Sequence, residues 1–254
     1  MASTLDGYPV TAPPLTGRVV FDQVWADLTF VHWPVRPHDV APLLPPGVRP
    51  DVFDDGFSYV GLVPFAMRRA GFGTGRPIPY FGSFLETNIR LYSVDDAGRH
   101  GVVFRSLDTA RLAIVPFARL AFGTPYIWSR MRLTRDGDLV RYETRRRWPD
   151  RGPRSLVEVR PGPRLEPSPL QVWLTARWGL HSTLFGRSVW IPNEHGPWPL
   201  HAAEVVTLHD NLLGASGVTA AGPSIDAMYS PGVRTRFGLP VRVPGQRSRT
   251  PLGS

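Results

Sequence analysis

The feature that most narrows the fold is a succession of short segments rich in β-branched and aromatic residues, set apart by turn residues. From Val24 to Val35 the chain carries Trp25, Leu28, Phe30, Val31 and Trp33, the composition of a strand that should end at the Trp33-Pro34 step. Further strands are expected at Val48 to Val52, Phe57 to Phe65, Phe84 to Val94, Val102 to Ser106, Ile127 to Thr134, Leu139 to Arg147, Leu156 to Arg160, Val189 to Pro192 and Val205 to Leu208. Asp54-Asp55-Gly56, Asp95 to Gly98 and Asp136-Gly137-Asp138 supply turns between them. Helices are expected at His38 to Leu44 behind Pro37, at Ala110 to Phe122, and at Pro169 to Trp178 behind Ser168 as N-cap. The count predicts a mainly β barrel or sandwich with a few short helices.

With 254 residues, 42% hydrophobic and 20% charged, the chain has enough apolar material for one sizeable core, expected over 21–242. Residues 1–20 read as a flexible arm and 243–254 as a flexible tail. The first twenty residues lack the apolar core of a signal peptide and no run approaches the length of a bilayer-crossing helix. A cytoplasmic protein without membrane partners is therefore the simplest expectation. Possession of no cysteine removes disulfides, thiol nucleophiles and thiolate metal sites. All 29 basic residues are arginine, so the net charge of +8 fits compositional drift toward Arg as well as it fits a polyanion partner. Nucleic acid is disfavoured, because no recognition helix or aromatic RNA platform is legible.

Several blocks occur together and in order: His32-Trp33-Pro34-Val35, Leu43-Leu44-Pro45-Pro46-Gly47-Val48, Tyr59-Val60-Gly61-Leu62-Val63-Pro64-Phe65 and Glu86-Thr87-Asn88-Ile89-Arg90-Leu91-Tyr92. Later blocks are Phe122-Gly123-Thr124-Pro125-Tyr126, Arg177-Trp178-Gly179-Leu180-His181 and Tyr229-Ser230-Pro231-Gly232-Val233. Over Trp25 to Pro240 this arrangement resembles the uncharacterised YqjF-like family of the acetoacetate decarboxylase-like superfamily. The resemblance implies a β barrel or cone enclosing a small pocket. The decarboxylase works through a Schiff-base lysine, and this chain has no lysine. The corresponding place falls near Arg119, whose guanidinium stays protonated, so lysine-dependent decarboxylation is excluded.

On a strand, Glu86, Asn88, Arg90 and Tyr92 share one face, which could line a wet interior or face solvent. In the first case Glu86 is a candidate general acid or base, with Asn88, Arg90 and Tyr92 binding an anionic or carbonyl ligand. The resemblance carries the decarboxylase's carboxylate onto Glu86. Arg119 is a candidate for stabilising developing negative charge, and Arg105 is either a ligand contact or the partner of Asp108 at a turn. Among seven histidines no compact metal signature occurs, so no metal is expected, and His181 is the best catalytic candidate of the group. Trp33, Tyr59, Phe65, Trp173 and Trp198 are among the aromatic residues that could wall a pocket. The run Arg145-Arg146-Arg147 reads as a solvated strand edge. No cofactor motif is present.

The expectation is a pocket enzyme for a small carbonyl or carboxylate compound, of lyase, hydratase, isomerase or cyclase type. A non-catalytic ligand-binding protein and an Arg-rich nucleic-acid or surface-binding protein are the alternatives. Homo-oligomerisation is left open.

Overall fold

The computed structural model describes residues 8–73, 77–79, 82–113, 115–116, 120 and 123–243. They form a thirteen-stranded mixed sheet that closes on itself. The first half supplies β1 (Phe21–Val35), β2 (Val48–Pro50), β3 (Ser58–Phe72), β4 (Phe84–Asp95), β5 (His100–Thr109) and β6 (Tyr126–Asp136). The second half supplies β7 (Leu139–Trp148), β8 (Arg154–Arg164), β9 (Gly179–Leu184), β10 (Arg187–His195), β11 (His201–Asp210), β12 (Ala227–Phe237) and β13 (Val241–Arg242). Three short helices, α1 (Pro37–Val40), α2 (Pro169–Thr175) and α3 (Leu212–Ala215), decorate them.

Nine strands, in the order β1-β3-β4-β5-β6-β7-β8-β11-β12, return to β1 and make a closed barrel. A second ring shares β12, β1, β3, β4 and β5 with the first and is completed by β9 and β10, which bridge β5 to β12. The strands β1, β3 and β4 are thus a common wall, and side-chain alternation gives each ring one face of it. Toward the nine-stranded barrel the wall presents Val31, Leu62, Ile89 and Leu91. These pack with Val140, Val157, Val159 and Tyr229 into a dry core. Toward the second ring it presents Val63, Phe65, Met67 and the polar members of β4.

The second ring closes through a single β5–β9 pairing, Val102 with Leu180. Gly101 and Gly179 make this possible: a Cβ on either would lie 2.4 Å from the Trp190 indole, which lies against both strands. Any side chain there would push the indole out and part the ring.

One expectation is corrected by packing. Strand β1 runs through Pro34 to Val35, because Pro34 turns its nitrogen away from β3, toward the 221–225 segment, where only its carbonyl is used, accepting from Ala221 N at 2.8 Å. In the N-terminal segment, Tyr8 Oη donates to Ala176 O at 2.7 Å and Trp178 Nε1 donates to Pro9 O. Helix α2 starts as expected at Ser168, whose Oγ accepts from Gln171 N while the Gln171 side chain accepts from Ser168 N. The expected helix at Ala110 to Phe122 lies partly outside the described residues.

Candidate functional site

The second ring encloses a cavity of about 380 Å³, within the range of small-molecule sites. Strand β4 sets its chemistry. The register pairs Val63 with Asn88, Phe65 with Glu86 and Met67 with Phe84, so Glu86, Asn88 and Arg90 stand in a row between apolar neighbours from β3. Thr87 points the other way, its Oγ1 2.9 Å from Thr144 Oγ1 in the nine-stranded barrel.

Glu86 is almost wholly buried. Tyr126 Oη donates to its Oε2 at 2.9 Å, and Asn88 also bonds the carboxyl. Burial pushes its pKa from 4.5 up to about 8; the two hydrogen bonds oppose the shift and the charge of Asp108 adds to it. The carboxyl is therefore protonated at neutral pH. Tyr126, buried against it, is held well above the ordinary phenol range and keeps its proton.

Arg90 and Arg177 stand at the closed end of the cavity, under α2 and the turn that follows it. Arg90 Nη2 donates to Tyr92 Oη and to Leu174 O, both at 3.1 Å, and its Nε has no hydrogen-bond partner. Among the described residues no carboxylate lies within 4.0 Å of Arg90. Arg177 is compensated: Nη1 donates to Asp51, Nε donates to Trp173 O at 2.8 Å, and the guanidinium sits 4.0 Å from the Trp173 ring centre. Its Nη2 is without a partner. With Glu86 neutral, the cavity carries net positive charge, which favours an anionic ligand.

On the facing wall stand Asn193, whose Oδ1 has no partner, and His195. His195 is packed against the rings of Trp25, Trp178 and Trp198. Its Nδ1 lies 2.7 Å from the Gly196 carbonyl, which only accepts, so Nδ1 carries the proton and Nε2 is the ring's acceptor. Burial lowers its pKa to about 4, against the Gly196 contact and with help from Arg90, so the imidazole is neutral at pH 7.

The structure separates the residues expected from the sequence. Glu86, Asn88 and Arg90 come together in the cavity. Tyr92 lies one step beyond, fully buried, with its Oη 2.7 Å from His32 Nε2 and bonded to Arg90 and to Leu174 O, so it positions Arg90 rather than facing the cavity. Arg105 lies elsewhere, donating to Leu43 O and Ser216 O and so tying the 3-10 turn Ala41–Leu43, which follows α1, to the residue that follows α3. It does not pair with Asp108, which takes Arg146 Nε at 3.0 Å, Arg146 Nη2 at 3.2 Å and Ser129 Oγ at 2.6 Å. Arg146 is accordingly buried, while Arg145 and Arg147 are exposed, which corrects the reading of the whole run as a solvated edge.

His181 is walled off behind Trp190. Its Nε2 donates to Asp95 Oδ2 at 3.2 Å and its Nδ1 accepts from Ser93 Oγ at 2.9 Å. All three side chains are at most 1% exposed, so this Ser-His-Asp arrangement has no access for a substrate. Arg119 lies outside the described residues. The sequence does not single out Tyr126, Arg177 or Asn193, and His195 is there only one of seven histidines. Tyr126 and Arg177 both stand in the ordered blocks quoted above, and that was the available signal. Among the described residues no group of three or more His, Asp or Glu is placed to hold a metal, and no helix is long and apolar enough to cross a membrane.

Residues 22–234 match the family model DUF2071, described as an uncharacterized conserved protein. The chain is 30% identical over 206 residues to the uncharacterized protein YqjF of Bacillus subtilis (strain 168), covering 80% of this chain and 84% of that relative. Its fold is similar to acetoacetate decarboxylase from Legionella pneumophila, at 13% identity and TM-score 0.63, over 96% of this chain and 99% of that one. It is also similar to the enduracididine biosynthesis enzyme MppR complexed with the condensation product of pyruvate and imidazole 4-carboxaldehyde. That likeness has 15% identity and TM-score 0.62, over 92% of this chain and 90% of that one. At these identities the two solved structures show the fold alone.

Proposed function

The chain belongs to the DUF2071 family on an acetoacetate decarboxylase-like fold, and from that premise we propose that it is an enzyme acting on a small carbonyl-containing carboxylate by acid/base chemistry. The observation that carries this reading is a protonated, buried Glu86 and a neutral His195 lining the same cavity as Arg90, a buried cation with no carboxylate beside it among the described residues. Two titratable groups pushed apart in pKa are both in their working forms at neutral pH: an acid that holds its proton below about 8, and a base that stays free above about 4.

In this reading Arg90 holds the substrate carboxylate, with Arg177 beside it. His195 Nε2 takes the proton from the carbon next to a carbonyl while Glu86 delivers its proton to the carbonyl oxygen, giving an enol. Reversal, or loss of a neighbouring group, completes an isomerase-, lyase- or hydratase-type reaction. Tyr126 and Asn88 stabilise the Glu86 carboxylate left behind. No lysine is needed. The binding of a pyruvate-derived compound by MppR supports a ligand of this class here.

The test is proton exchange in D2O. A panel of keto acids and lactones is incubated with wild type, Glu86→Gln and His195→Phe, and loss of the α-proton signal is followed by NMR. Wild type should catalyse exchange on at least one compound over the window between about pH 4 and about pH 8, and each variant should lose about 100-fold or more. Exchange by wild type that survives both substitutions would overturn the roles given to these residues. A non-catalytic binding protein would instead bind the compounds without exchanging any of them.

A further inference from the structure

Resting on the reading of the cavity as a carboxylate site, the arrangement of its two ends specifies the ligand more narrowly. The closed end is polar: Arg90 Nε and Arg177 Nη2 are buried donors without partners. Mid-cavity, Asn88 Oδ1 and Asn193 Oδ1 are buried acceptors without partners. A buried polar atom left unpaired costs free energy, and all four side chains belong to the cavity lining, so together they indicate the polar complement a ligand there would supply. The donors ask for an acceptor at the head, and the carbonyl oxygens ask for a donor a few atoms along.

Beyond Glu86 the chemistry changes. Strand β4 begins at Phe84, which the register places against Met67, and Phe21 pairs with Phe72 across β1 and β3 with ring centres 4.9 Å apart. Phe72 is 51% exposed and Ile78 and Phe84 are half-buried, so the open end of the cavity is an apolar collar in contact with solvent. Six residues of extended strand separate Phe84 from Arg90, about 20 Å at 3.3 Å per residue. A two- or three-carbon keto acid held at Arg90 would leave that collar empty.

We infer that the site is built for an amphiphilic carboxylic acid: a carboxylate at Arg90 and Arg177, a hydroxyl or amine donor near the second or third carbon facing Asn88 and Asn193, and an apolar acyl or arylalkyl body running past Glu86 to Phe84 and Phe72. The open, apolar end admits the tail and the charged, closed end stops the head, so the ligand enters head first.

Binding is measured by calorimetry with butyrate, hexanoate, octanoate and decanoate, their 3-hydroxy counterparts, and 3-phenylpropionate. Affinity should rise about three- to fourfold per methylene until the cavity is filled. Each 3-hydroxy acid should bind about tenfold tighter than its parent. Arg90→Met should weaken every acid. Phe72→Asp lies at the surface and tests the tail independently of any folding defect at Arg90: it should weaken decanoate and leave butyrate unchanged. Asn193→Leu should erase the preference for the hydroxyl and keep the dependence on chain length. Equal affinity along the series, or a chain-length dependence indifferent to Phe72→Asp, would overturn the inference. Short keto acids exchanged through Glu86 with no preference for length would leave the acid/base reading standing without it. Length-dependent binding of these acids, with none of the keto acids or lactones exchanged, would sink the acid/base reading and leave the ligand assignment intact.

Discussion

Replacing Glu86 by Gln should make the protein less sensitive to alkaline pH, by an amount the structure sets. Burial disfavours the charge of this carboxyl and pushes its pKa from the ordinary 4.5 up to about 8 in the fold. A folded-state pKa above the unfolded one means that the native state holds the extra proton between those values. The stability from this group is fully present below pH 4.5 and is lost as pH rises through about 8. At about 1.36 kcal/mol per pH unit, the span from 4.5 to about 8 corresponds to about 5 kcal/mol. That is a large share of the ~5–15 kcal/mol by which domains are usually stable. Glutamine has nearly the same shape, can accept from Tyr126 and does not ionise, so the substitution removes the titration with little change in packing. Urea denaturation of both proteins from about pH 4 to about pH 9 reads the effect. The difference in unfolding free energy, variant minus wild type, should rise by about 5 kcal/mol between the two ends, every other titrating group cancelling. A flat difference, or one that falls with pH, would mean that Glu86 is ionised in the fold and would refute its role as an acid at neutral pH.

Other substitutions separate the supporting network from the cavity. Arg146→Met leaves Asp108 buried without its bidentate partner and should cost about 3–5 kcal/mol in chemical denaturation, with Asp108→Asn in the same chain restoring part of it. Tyr92→Phe removes the hydroxyl shared by His32, Arg90 and Leu174 O; it should cost about 1–3 kcal/mol and weaken carboxylate binding as Arg90 loses its support. On the outer face, Arg130 stands opposite Arg145, and Arg145 opposite Arg154, three exposed like charges abreast. Arg145→Glu should therefore stabilise the protein by about 0.2–1 kcal/mol at low ionic strength, a gain that fades as salt is added to a thermal melt.

Most of the barrel was legible because β-type composition and turn residues recur at strand spacing, and because alternation on β4 separates Glu86, Asn88 and Arg90 from Thr87, Ile89 and Leu91. What was missed has local causes. Strand β12 contains Pro231-Gly232, which reads as punctuation, yet the segment pairs with β1 across that step. Strand β9 is six residues long and follows directly on α2 and its turn, so its pattern is too short to declare itself. The second ring depends on Trp190 settling against two glycines far apart in sequence, a contact no local pattern announces. For the same reason Arg177, Asn193 and His195 could not be placed opposite Glu86: they arrive on the strands and turn that close that ring. His181 looked reactive by its place in a block, but Ser93 and Asp95 take both of its ring nitrogens in a sealed interior.

The central claim is that the cavity takes a carboxylate at Arg90, and ligand-induced thermal stabilisation tests it most directly. Wild type, Arg90→Met and Glu86→Gln are melted against keto acids, hydroxy acids, lactones and a duplex oligonucleotide, each at several concentrations. A carboxylate at 100 times its Kd should stabilise wild type by about 2.7 kcal/mol. That shift should disappear in Arg90→Met and persist in Glu86→Gln. Stabilisation by the oligonucleotide alone, equal in all three proteins and abolished by salt, would contradict the claim and turn attention to the arginine-lined outer face.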